Sequence, residues 1–471
     1  MKAFYFLIIS LLASIFFVGV GRAQDHGHHR GHKILEYKDS TRTLGHDFLD
    51  KGTFEFHKRS FFMSTINKGE LLNYSALASG AGIGYYSPSW KNFHFGFSGF
   101  FVFQLFENNI YEPDPTTDNT NRYEILLFDM NDLTNKHDLD RLEELYLTYE
   151  REKLNIIFGR QKFNSPFLNE QDNRMRANLF NGVNIEYKLG EWDLTAAVFN
   201  KVTIRGTVDW YTIEDSYGVY PFGRSPFGVP SQYKGNVKSR GIGVLGAQYN
   251  KNGLSVEAWN YFNENVFNMS FVESLYSWDI KKTKLFFGGQ GFYQTAVNYG
   301  GNKNQSMAYI LKDEWTYGLG SRVGVKKGNS KWSLNYLHIA NEGRFLFPRE
   351  WGREQFFTSL PRERYEGSGA VNAVMLKYEY ELPEKGWSFF VGASAVNHSE
   401  LSDYRMNKYG VPSYFHFVAS ADYKFKGYLK GLEARVFVAN KTAQNPDDVP
   451  DQFRINRVDL WNMNVVVDYR F

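Results

Sequence analysis

Apolar and polar residues alternate with a period of two through most of the chain beyond residue 52, the spacing of strands whose neighbouring side chains point to opposite faces. The last stretch is the clearest. Trp461, Met463, Val465, Val467, Tyr469 and Phe471 form one apolar row, while Asn462, Asn464, Asp468 and Arg470 share the other with Val466. In 413–425, Phe415, Phe417, Ala419, Ala421, Tyr423 and Phe425 oppose Tyr414, His416, Ser420, Asp422 and Lys424. Leu145, Leu147 and Tyr149 oppose Glu144, Tyr146, Thr148 and Glu150 in the same way, and Val374, Leu376, Tyr378, Tyr380 and Leu382 oppose Lys377, Glu379 and Glu381. Eighteen strands are expected. The first nine lie near 53–66, 80–89, 93–105, 142–152, 154–163, 179–189, 192–205, 239–250 and 254–263. The others lie near 269–280, 283–295, 316–327, 331–340, 371–382, 387–398, 413–425, 432–442 and 458–471. Trp461 and Tyr469 are separated by roughly 26 Å at about 3.3 Å per residue. With a tilt of about 40° the strand rises roughly 20 Å, close to the ~25 Å apolar band of an outer-membrane barrel. An edge strand of a soluble sandwich is the competing reading of this row.

The connections alternate short and long. Trp90-Lys91-Asn92, Gly190-Glu191, Lys251-Asn252-Gly253, Lys281-Lys282, Gly328-Asn329-Ser330 and Pro383-Glu384-Lys385-Gly386 carry hairpin-turn chemistry. The long ones are 106–141, 164–178, 206–238, 296–315, 341–370 and 443–457. Sorting short turns to one rim and long loops to the other is the asymmetry of a membrane barrel, and with both termini periplasmic the parity closes. Charged residues on the second face of each strand are tolerated only where that face meets water, because Arg or Lys facing lipid at mid-depth costs about 2–4 kcal/mol. The expected fold is therefore all-β, a single transmembrane antiparallel up-and-down barrel with a wet interior.

The N-terminus bounds the compartment. Lys2, the apolar run Phe4 to Val20 and Gly21-Arg22-Ala23 read as a cleaved signal peptide over 1–23, followed by a His-rich periplasmic arm over 24–51 and the barrel over 52–471. Cleavage takes two cations and no acid from 54 basic residues, leaving 52 against 51 acids, a balance that argues against nucleic acid as partner. No cysteine is present, so no disulfide holds the chain, and the high aromatic content of 18% fits a single membrane barrel. Nothing catalytic emerges: there is no Gly-x-Ser-x-Gly, P-loop or His-Glu-x-x-His pattern.

Face parity nominates Arg59, Arg160, Arg240, Arg322, Lys326, Lys377 and Arg435 as cations lining the lumen, each alternatively a solvated strand residue paired with a carboxylate. Two loops concentrate charge further. One carries Glu170, Asp172, Arg174 and Arg176; the other carries Arg349, Glu350, Trp351, Arg353, Glu354, Arg362, Glu363 and Arg364. Such loops pack into a barrel mouth, where guanidinium forks bind carboxylates, or hold themselves together by internal pairing.

The stretch Gly159-Arg160-Gln161 through Pro166, Asp172, Arg174 and Phe180-Asn181-Gly182, and the stretch from Arg349 to Glu354 and on to Arg362–Gly367, resemble the third-loop and seventh-loop regions of OprD-type outer-membrane porins. The resemblance implies an eighteen-stranded barrel, monomeric rather than trimeric, with loops 3 and 7 folded inward. It also implies passive diffusion of small carboxylate-bearing solutes through an eyelet of basic residues, drawn from Arg59, Arg160 and the loop arginines. The terminal Phe471 resembles the signature that the barrel-assembly machinery reads, and outer-membrane lipid and lipopolysaccharide are the implied surroundings. A receptor or adhesin barrel is the alternative. Asp25, His26, His28, His29 and His32 form a cluster able to gather Zn²⁺ or Cu²⁺, or simply a soluble tail; metal binding there would make the protein a metal-linked channel.

Overall fold

The computed structural model describes residues 51–471, so the signal sequence and the His cluster lie outside the described residues. Nineteen strands follow in chain order. The first ten are β1 (Thr53–Asn67), β2 (Tyr74–Tyr86), β3 (Phe93–Asn108), β4 (Asp140–Arg151), β5 (Leu154–Gln161), β6 (Leu179–Leu189), β7 (Trp192–Thr203), β8 (Trp210–Thr212), β9 (Ile242–Lys251) and β10 (Leu254–Asn263). Then come β11 (Phe267–Ile280), β12 (Thr283–Ala296), β13 (Trp315–Lys327), β14 (Ser330–Ile339), β15 (Val371–Leu382), β16 (Trp387–Asn397), β17 (Tyr414–Lys424), β18 (Leu432–Ala443) and β19 (Leu460–Arg470). Eighteen of these form one closed antiparallel barrel. The extra strand, β8, adds to the end of β7, which otherwise pairs with β9. Closure is made by β1 and β19, in register from His57↔Arg470 to Asn67↔Leu460. A closed ladder leaves no backbone edge to be satisfied in lipid. Among the described residues no helix is long and apolar enough to cross a membrane.

Most strands begin and end within a few residues of their expected positions. The exception is β2, which starts at Tyr74 rather than near 80. Ala, Ser and Gly occupy both of its rows, so no apolar alternation marks it. Its small inward residues make room for a neighbour: a Cβ added at Gly80 or Gly82 would lie 2.5 Å from the Phe100 ring. The short/long rule also breaks twice. The connection 264–266 on the long-loop rim has only three residues, and 425–431 on the opposite rim has seven.

The outer face is apolar. Phe158, Val198 and Leu245 are 64%, 62% and 61% exposed. Ring pairs such as Trp332–Tyr378 and Trp387–Tyr423, with centroids 4.1 and 4.6 Å apart, sit near the short-turn rim, where an aromatic girdle belongs. On β19, Trp461 and Met463 are exposed outward, whereas Asn462 and Asn464 are buried inside. The lower end of the same apolar row is not bare. Val467 and Tyr469 are covered by Phe425 and Leu429 of the seven-residue turn.

Candidate functional site

Seven long connections lie on one rim: L2 (109–139), L3 (162–178), L4 (204–241), L6 (297–314), L7 (340–370), L8 (398–413) and L9 (444–459). L3 and L7 fold inward because their aromatic residues find apolar partners on the inner wall. Phe167 of L3 packs within 5.1–5.8 Å, ring to ring, of Tyr261 on β10, Phe271 on β11, and Phe345, Phe347 and Phe356 of L7. Trp351 is fully buried against Tyr217, Phe267 and Phe347, and its indole N–H donates to Ser216 Oγ at 2.8 Å. Each ring so buried is worth roughly 1.5–3 kcal/mol, which outweighs the ordering of a long loop only when several act together. L7 then crosses the interior. Phe357 lies against Arg322 of β13, Leu360 joins a cluster with Met375, Val418 and Phe437, and Arg362 reaches Asn462 and Asn464 on β19 at 2.7 Å each.

The acids of these loops are consumed in holding them. Glu366 accepts from Arg349 Nε at 2.7 Å, Lys408 Nζ at 2.9 Å, Tyr409 Oη at 2.9 Å and Tyr309 Oη at 3.2 Å. Burial opposes its ionisation, but Lys408 and Arg349 outweigh that and bring its pKa down to about 2. Glu354 accepts from Arg364 at 2.9 Å and from the Tyr365 N–H at 2.6 Å. Glu363 pairs with His416 Nδ1 at 3.0 Å, both side chains sealed from solvent. Glu350 is buried and accepts the backbone N–H groups of Gly218 and Tyr220; burial raises its pKa to about 6.

Asp172 is pinned to the barrel wall. Arg59 Nη1 donates to it at 2.5 Å and to the Arg174 carbonyl at 2.7 Å, while Arg59 Nε donates to Asp468 at 2.5 Å. Arg470 approaches Asp172 from the other side at 3.4 Å. Burial disfavours the Asp172 carboxylate, yet Arg59 holds it well below the usual range. Arg59 is thus a clamp for L3, the structural alternative considered for it above.

What remains is a chamber of about 120 Å³ bordered by Arg122, Arg174, Arg205, Arg349, Arg353, Arg362, Arg364, Arg457 and Lys441, with Tyr123, Tyr220 and Tyr414 among its walls and Glu363 as the one bordering acid among the described residues. Among the described residues, Arg122, Arg174, Arg205, Arg353, Arg362, Arg457 and Lys441 form no ion pair with a carboxylate. Their partners are neutral: Asn173 for Arg174 and Arg205, the Leu360 carbonyl for Arg353, and the Tyr409 and Gln452 carbonyls for Arg457. Burial among like charges pushes Arg353 and Arg362 down to about 10 and Arg457 to about 9, so all three stay charged at neutral pH.

The structure therefore gathers Arg174, Arg349, Arg353, Arg362 and Arg364 at one place, as the sequence pattern anticipates. Others fall elsewhere. Arg176 is buried at the junction of L3 with L2, donating to the Leu139 and Phe128 carbonyls. Glu170 bonds to Asn164 within L3. Arg160 is corrected: it pairs in register with outward-facing Leu145, and its guanidinium lies 4.8 Å over the Trp210 ring on the outer surface. Arg240 is not on a strand; its side chain is 91% exposed beside Glu264. Arg322, Lys377 and Arg435 face inward, paired with Asn335, Glu379 and Asp422, while Lys326 is exposed near the short-turn rim. Arg122, Arg205, Arg457 and Lys441 were not anticipated.

A family model described as outer membrane porin, OprD family, matches residues 120–390. A search of curated proteins finds no match. Among solved structures, Pseudomonas aeruginosa OccK9 (OpdG) superposes with a TM-score of 0.69 at 12% identity, covering 90% of this chain and 99% of that one. Acinetobacter baumannii OccAB4 gives 0.68 at 15% identity, covering 89% and 98%. Pseudomonas aeruginosa OpdK, solved with vanillate, gives 0.66 at 14% identity, covering 90% and 99%. The sequence match spans more than half of the chain and the barrels agree along nearly all of it: this chain belongs to the OprD family of outer-membrane porins, channels for small solutes in the Gram-negative outer membrane.

Proposed function

We propose that the channel passes small anionic, carboxylate-bearing solutes by diffusion and that the arginine-lined chamber is its filter. The observation that carries this reading is the charge imbalance: among the described residues, seven cations without a carboxylate partner border a chamber whose one bordering acid is tied to His416. A carboxylate about 4 Å from one such guanidinium gains roughly 4 kcal/mol at an effective dielectric near 20, whereas a cation is repelled by as much. The vanillate present with OpdK is a carboxylate, in keeping with such a solute. Both described ends, residue 51 and Phe471, lie at the short-turn rim, which we assign to the periplasm.

The test is the reversal potential of the reconstituted channel under a salt gradient. Wild-type protein is expected to prefer chloride over potassium. The pair R174Q and R362Q is expected to move the reversal potential toward that of a cation-selective pore and to slow carboxylate uptake into liposomes, with neutral sugars little changed. Unchanged selectivity and unchanged carboxylate flux in the double variant would place the filter elsewhere.

A further inference from the structure

The unpaired cations form two banks joined through Lys441, which neighbours Arg122 of one and Arg353 of the other. Arg174, Arg353 and Arg362 come from L3 and L7, and each is the other's near neighbour or shares Arg205 as one. Arg122 and Arg457 come from L2 and L9 and neighbour each other. The second bank stands at a junction: a further cavity of about 150 Å³, also bordered by Arg224 and Lys408, shares Arg122, Pro221, Asn456 and Arg457 with the chamber. Among the described residues no acid borders this second cavity.

Hydrogen bonding adds an independent observation. Among the described residues, Nη2 of Arg174 and Nη1 of both Arg353 and Arg362 have no acceptor, although these side chains border the chamber. Arg122 makes no side-chain hydrogen bond or ion pair at all among the described residues. Guanidinium forks so placed are open for bidentate engagement of carboxylates.

Resting on the reading of the chamber as an anion filter, we infer that it selects solutes bearing two or more carboxylates over solutes bearing one. A single carboxylate compensates one bank and leaves the other facing no counter-charge. A second carboxylate on the same short chain reaches the other bank without a further loss of translational freedom, because the first contact already holds the molecule. The small volume of the chamber restricts the linker between them to a few atoms.

The experiment uses the full mature protein in planar bilayers, at about pH 8 so that all carboxyls are ionised. Butyrate, succinate and tricarballylate are added separately, and the concentration that half-blocks the chloride current is read for each. Succinate and tricarballylate are expected to half-block at concentrations at least about tenfold below butyrate, a gap of about 1.4 kcal/mol or more. In R122Q, whose side chain holds no other group in place, the gap is expected to shrink to less than about threefold. Equal block by butyrate and succinate in a wild-type channel that still prefers chloride would overturn the inference and leave the anion-filter reading intact. A wild-type channel with no preference for chloride would overturn both. Because the wild-type comparison alone decides the question, it does not depend on the variant folding.

Discussion

Glu366 shows how one carboxylate fixes a loop. Four donors converge on it, two of them cations, Lys408 buried and Arg349 half-buried. Its pKa lies near 2 against an ordinary 4.5, so its contribution is fully present above about pH 4.5 and is lost as the pH falls toward 2. L7 is therefore expected to stay closed to trypsin in the folded barrel from neutral pH down to about 5. E366Q leaves buried Lys408 and half-buried Arg349 without their acid, a loss of roughly 3–5 kcal/mol. It is expected to expose the arginines of L7 to cleavage at neutral pH while the barrel remains heat-modifiable on a gel. Resistance equal to wild type would show that L7 does not depend on this centre. Arg160 makes the opposite case. It points away from the lumen, so R160Q is expected to leave the reversal potential of the reconstituted channel where it was.

Among the elements, strands were legible and loops only partly so. β17 and β19 announce themselves because lipid demands an unbroken apolar row on one side and water permits polar residues on the other. β5 misleads. Leu154, Ile156 and Phe158 lie on one row and Ile157 on the other, so both look apolar and the parity that decides where Arg160 points is not marked. That arginines of L3 and L7 converge was readable from local density, but not which ones: Arg176, two residues from Arg174, turns instead to the Leu139 and Phe128 carbonyls. Arg122 shares L2 with Lys136 and Arg457 shares L9 with Arg454; the two arginines lie 335 positions apart, and only the closed ring makes them neighbours. The aromatic wedge of L7 is the element on which the chamber rests. W351A is expected to cost about 3–5 kcal/mol of local packing, which would appear as larger and noisier single-channel current steps in an otherwise folded barrel. Steps of wild-type size and quiet baseline would mean that the remaining rings hold L7 unaided.

At the scale of the whole molecule, Phe471 lies beside the first strand: its backbone N–H and C=O bond with Phe56 at 3.1 and 2.9 Å, and the two rings stand 5.0 Å apart. F471S is expected to lower the yield of heat-modifiable barrel in outer membranes, scored by gel shift; a normal yield would separate the terminal ring from assembly. The grip on Asp172 has a consequence in time. It is held by Arg59 from the first strand of the ring and by Arg470 from the last, with Asp468 completing the quartet. The halves of that grip lie at opposite ends of the chain and are brought together only when the final hairpin meets the first. L3 thus reaches its resting place after the wall is finished, and a barrel caught half-zipped has a hole but no sieve.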